Sequence, residues 1–157
     1  IASITLSDED ERTTAIGLFH YAHSYAASAS LLRQKHVNAT HRDSPVRYLY
    51  SHAVELYLKA YLRMHGVPAK ELRGRKLGHN TYELLKLAEE KGLQVNQVHR
   101  DLIALISNST IDRYIETGTH TVLKAIAQHE ICVHLHNQMA AEIYRYAGLT
   151  RMPASFS

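Results

Sequence analysis

Twelve histidines, eighteen lysines and arginines and a single cysteine, Cys132, are the residues of this 157-residue chain best equipped for chemistry. His129, Cys132 and His136 follow at i, i+3 and i+7, so on a helix they share one side. His20 and His23 pair in a similar way earlier in the chain. Imidazole and thiolate are zinc and iron ligands, and two such helices side by side would supply suitable donors. No His-Glu-x-x-His, Cys-x-x-Cys or Glu-x-x-His pair accompanies them, however, and His129 and His136 fall within the apolar stripe of Val122, Ile126, Val133, Ala140 and Ile143. The expectation is no metal and no cofactor, with these histidines satisfied inside a helix interface.

A second concentration of chemistry lies at Lys70, Arg73, Arg75 and Lys76, four cations in seven positions, with His79 just beyond. Such a loop can hold a phosphate or simply be solvated. His79 either faces a ligand or packs on the preceding helix. No glycine-rich phosphate loop of either standard spacing occurs, so nothing marks a P-loop NTPase or a dinucleotide-binding enzyme. The formal charge of +3 permits nucleic-acid contact without demanding it. Protonating the twelve histidines would add twelve charges, so stability and solubility should depend on pH.

These residues need elements to carry them. Seven glycines and three prolines are few for 157 residues, which argues for long helices. Ser7 and Asp10 form a capping-box-like start, and a first helix is predicted to run unbroken to about Val37, burying Ala15, Leu18, Phe19, Ala22, Ala26, Ala29 and Leu32. A second runs from Asp43 or Ser44 to about His65 before Gly66, with Val46, Leu49, Tyr50, Ala53, Leu56, Tyr57, Ala60, Tyr61 and Met64 inward and Glu55 with Lys59 on the other side. Asn80 or Thr81 to Lys91 makes a third, using Leu84, Leu85, Leu87 and Ala88. A fourth, Asn96 to Ser107, uses Val98, Leu102, Leu105 and Ile106. The last runs from about Thr119 to Ala147 and stops at Gly148. No strand pattern persists. The prediction is one all-α domain over 1–157, an antiparallel bundle of about five helices with 1–6 and 150–157 frayed.

The run "HAVELYLKAYLRMHGV", the basic loop, and then "LGHNTYELLKLAEEKGL" resemble the HEPN family of higher-eukaryote and prokaryote nucleotide-binding domains. The matching positions are Glu55, Leu58, Lys59, Ala60, His79, Leu84, Leu85 and Gly92, and "DRYIETGTHTVLKAI" stands where that family has arginine-containing motifs before its final helix. The likeness spans about residues 8 to 147. It implies a HEPN-like bundle and, in catalytic members, a metal-independent RNase using Arg, four to six residues, then His. Arg113 with His120 has that spacing at the usual place, and Arg73 with His79 has it elsewhere. Histidine would move the proton at the ribose or leaving oxygen while arginine offsets the transition-state charge. Tyr114 stands where catalytic members carry a polar residue, and Gly118 loosens the motif. "Arg-Tyr" looks more like the non-catalytic branch.

The resemblance thus implies a binding or accessory module for a nucleotide or RNA, with Arg73, Arg75, Lys76, His79, Arg113 and Tyr114 as candidate phosphate ligands and a nucleotidyltransferase as a possible partner protein. The alternatives are a toxin-type endoribonuclease with Arg113 and His120 catalytic, and a purely structural dimerisation bundle. A homodimer through the last helix is expected because Ile131, Leu135 and Met139 give that helix a second apolar side. One cysteine, no secretory signal and no run of about 18 apolar residues suggest a cytoplasmic protein that does not enter a membrane.

Overall fold

The computed structural model describes residues 7–35, 37–108 and 124–157. Among these, seven helices form and no strand does: α1 (Asp8–Arg12), α2 (Ala15–Lys35), α3 (Asp43–Met64), α4 (Ala69–Leu72), α5 (Thr81–Glu90), α6 (Gln97–Asn108) and α7 (Ala125–Tyr146). None is long and apolar enough to cross a membrane.

The first predicted helix is two. Ser7 caps α1 as expected, accepting from the Asp10 amide at 3.1 Å and donating to its carboxylate at 2.8 Å. The chain then breaks at Thr13, and Thr14 Oγ1 accepts from the Gly17 amide at 3.1 Å to open α2. The cause is tertiary. Arg63, near the end of α3, donates to the Thr13 carbonyl at 2.9 Å and the Asp10 carbonyl at 3.3 Å, while Asp10 Oδ1 accepts from the Ala69 amide at 2.8 Å. These bonds fold α1 onto the α3–α4 corner. They outweigh the small gain from continuing one helix through two β-branched threonines.

α2, α3 and α7 form the central layer. α2 contributes the fully buried Ala22, Ala26 and Ala29, whose small side chains let its backbone approach α3 and α7 closely. α2 runs antiparallel to both: Phe19 meets Tyr57 and Tyr144, and Arg33 meets Tyr50. α3 and α7, by contrast, run parallel, with Tyr50 beside His129 and Tyr57 beside His136. The expected all-antiparallel arrangement is corrected for this pair. The reason is that α5 and α6 form their own antiparallel hairpin, Asn80 meeting Ser107 and Glu89 meeting Arg100. α7 itself begins beside the first half of α3, where Gln128 bonds Ser51 at 2.8 Å and the Arg47 carbonyl at 3.3 Å.

Three further expectations change. On α6 the buried residues are Ile103 and Ile106, whereas Val98 and Leu105 are 65% and 56% exposed, because α6 lies against α5 and α7 with one narrow side only. Lys124 holds extended backbone, so α7 begins at Ala125 rather than near Thr119, which lies outside the described residues. Residues 154–156 are held rather than frayed: Phe156 is buried and its backbone bonds Asn137.

Candidate functional site

The histidines with metal-ligand spacing lie in the α3–α7 seam. Parallel helices in matching seven-residue register bring Tyr50 opposite His129 and Tyr57 opposite His136, each Tyr Oη 2.9 Å from the histidine Nδ1. Burial holds both histidines below their usual pKa and both tyrosines above theirs. Near neutral pH each tyrosine therefore donates its hydroxyl proton to a neutral ring. Cys132 sits between the rungs, fully buried, with Sγ 3.8 Å from the Tyr50 carbonyl and its thiol pKa pushed up by burial. No group of three or more potential ligands is placed to hold a metal ion among the described residues.

Ile131, Leu135 and Met139, which suggested a dimer face, are at most 1% exposed within this one chain. α2, α3 and α6 pack against α7, so that basis for a homodimer through the last helix is withdrawn.

The basic loop builds a different kind of site. A cleft of about 740 Å³ opens between the α4 region and α5. Leu72 and Leu77 are buried at either end of the loop, and the Gly78 amide donates to the Gly74 carbonyl at 2.8 Å, so the turn between them projects Arg75 and Lys76. A Cβ on Gly78 would lie 2.9 Å from that carbonyl, which reserves the position for glycine. Lys70, Arg75 and Lys76 line the cleft, are exposed and make no ion pair among the described residues. Across from them α5 contributes Glu83, Lys86 and Glu90 with Leu87, while Pro68, Glu71, Gly74 and Leu77 complete the lining. Lys86 bonds Glu83 at 2.9 Å and lies 5.3 Å from the Tyr82 ring centre.

The predicted residues divide. Arg75 and Lys76 share the cleft. Arg73 turns away to pair with Glu9, and does not line it. His79 also lies outside, its Nδ1 3.1 Å from Glu55 Oε1, which receives Lys59 Nζ at 2.7 Å. Glu55 is only 3% exposed, so the Glu55–Lys59 pair is buried under the loop rather than set on a solvent face. The spacing Arg73 to His79 therefore brings no Arg–His pair together, because each side chain has its own carboxylate. Arg113, Tyr114 and His120 lie outside the described residues. Sequence reading missed Lys86 and the carboxylates opposite. The signal was there in Glu83, Lys86 and Glu90 at i, i+3 and i+7, on the α5 side facing the loop.

In comparisons with known proteins, no family model, no curated protein and no solved structure matches this chain.

Proposed function

We propose that this chain is a HEPN-like module that binds a nucleotide in the cleft between the basic loop and α5. The observation that carries the reading is the lining of that cleft. Three cations at one side, unpaired among the described residues, suit phosphate oxygens, Leu77, Leu87 and Pro68 suit the face of a base, and the carboxylates of Glu83 and Glu90 suit amino or hydroxyl donors. A bare polyanion site would not place three glutamates among its lysines. Supporting the HEPN resemblance are a long helix bearing Glu55 and Lys59, then the basic loop, then the leucine-rich α5, in that order. The cleft supports binding, and catalysis by Arg113 and His120 remains the alternative.

Calorimetric titration of the full chain with AMP, GMP, ATP and GTP, beside inorganic phosphate and a single-stranded RNA hexamer, tests the proposal. A nucleotide should bind more tightly than phosphate. Arg75→Glu with Lys76→Glu should weaken it at least tenfold, since a charged hydrogen bond contributes about 1.5–3 kcal/mol and 1.4 kcal/mol is tenfold. No heat from any nucleotide, or equal affinity in the variant, defeats it. RNA cleavage in EDTA that His120→Ala abolishes would establish the alternative.

A further inference from the structure

Beyond the cleft, the segment after α7 lies where a ligand would. Gly148, at φ +74°, reverses the chain, and its amide donates to the Arg145 carbonyl at 3.0 Å while the Leu149 amide reaches Tyr144 at 2.9 Å. The chain then returns antiparallel along α7. Arg151 passes over the Tyr144 ring, Ala154 reaches His136, and Phe156 reaches Asn137 and His129.

Residues 152–157 belong to no regular element, yet their backbone is held by side chains. Asn137 grips Phe156 twice: its Nδ2 donates to the Phe156 carbonyl at 2.8 Å, and its Oδ1 accepts from the Phe156 amide at 2.9 Å. A carboxamide bonded to both polar groups of one residue reads an extended backbone without reading its side chain. His136 Nε2 lies 3.1 Å from the Ala154 carbonyl. The carbonyl can only accept, so Nε2 carries the ring proton and donates it, and on the neutral ring Nδ1 then accepts from the Tyr57 hydroxyl. Phe156 is only 9% exposed, with imidazole centres of His23, His129 and His136 at 5.2, 5.3 and 5.6 Å from its ring centre. Ala154 and Ser155 beside it are small.

We propose that the notch between α2 and α7 is a binding site for an extended peptide carrying an aromatic residue preceded by small ones, and that residues 154–156 are its resident, displaceable ligand. Main-chain bonds supply affinity and an anchor pocket supplies selectivity, which is how extended peptides are generally recognised. The ligand in trans has the same chemistry: an unstructured segment from a partner with its own aromatic anchor. The tethered segment competes at an effective concentration of about millimolar, so a partner must exceed that or bind more tightly.

The test uses the full chain and a blocked peptide copying residues 150–157, TRMPASFS. In the wild type, several millimolar peptide should speed hydrogen exchange at the Phe156 amide several-fold, while a peptide with alanine for phenylalanine should not. In Phe156→Ala, whose anchor pocket is empty, a fluorescent version of the peptide should bind at least tenfold more tightly than in wild type. Adding Asn137→Ala to that variant should remove the gain. Unchanged Phe156 exchange at saturating peptide overturns the proposal, as does equal action of the alanine control. If Phe156→Ala does not fold, the wild-type exchange measurement decides alone.

Discussion

Along the α3–α7 seam, Tyr50, Tyr57, His129 and His136 are buried, neutral and bonded to one another. In the cleft beside α5, Lys70, Arg75 and Lys76 stand exposed with no ionic partner among the described residues. Both regions looked chemical in the sequence, one for its histidines and cysteine, the other for its cations. The difference teaches which polar groups are available. A buried group must find its partner within the fold, because leaving it unpaired costs about 1–3 kcal/mol. An exposed cation is hydrated and can exchange that water for a ligand. The seam uses its polar groups to fix helix register and the protonation of its histidines. The cleft leaves its charges in water.

The largest effect that would test this contrast belongs to the seam. Leu135→Ala, in the fully buried centre of α7, should lower unfolding free energy by about 2–5 kcal/mol. Denaturant unfolding checks it, and a loss under 1 kcal/mol would mean that the seam is not the core. Tyr57→Phe should follow at about 1–3 kcal/mol, since it leaves His136 Nδ1 buried without a donor. A neutral outcome would show that the ladder is replaceable by simple packing.

The pH dependence comes next. Desolvation holds His23, His129 and His136 below their ordinary value of 6.5; His20 also disfavours charge on His23 and His136, and Arg33 on His129. The groups facing this cluster are His20, His23 and Arg33 from α2, Tyr50 and Tyr57 from α3, and Glu130 from α7, whose charge partly opposes the shift at His129. Below about pH 6.5 the unfolded chain binds these protons first, so stability should fall as pH drops from there through the depressed folded values. The urea midpoint should be lower at pH 5.5 than at 7.5, and His23→Leu should flatten that slope. A midpoint unchanged between the two pH values contradicts the neutral-ladder account.

How much of this was legible depends on where the deciding interaction lay. Heptad spacing placed Tyr50, Tyr57, His129 and His136 on inward faces, and local caps such as Ser7 and Asn80 fixed helix starts, because those signals are contained within a few residues. The break at Thr13 was not legible: Arg63, fifty positions away, makes it. Nor was the orientation of α6, where Val98 and Leu105 fit a helical stripe as well as Ile103 and Ile106 do, and only the neighbours decide. In the loop, charge clustering identified Arg75 and Lys76, but Glu9 and Glu55, which draw Arg73 and His79 away, come from distant parts of the chain. Ile131, Leu135 and Met139 misled because a helix in the middle of a bundle has two apolar sides for the same reason that an interface helix does.

The smallest expected effect is on the other side of the comparison. Arg75→Ala with Lys76→Ala removes two exposed cations that touch no carboxylate among the described residues, from a turn held by the buried Leu72 and Leu77 and by the Gly78 to Gly74 bond. Both side chains are exposed and make no hydrogen bond among the described residues, so stability should stay within about 0.5 kcal/mol of wild type. Gly78→Ala makes the useful contrast, since its Cβ meets the Gly74 carbonyl at 2.9 Å and the turn itself must shift. The two variants should therefore separate in denaturant unfolding, with only the glycine change lowering the midpoint, while both weaken nucleotide binding. If removing the two cations instead destabilised the chain by more than 1 kcal/mol, their charge would be holding the fold together, and the cleft would have no more claim to a ligand than the seam has.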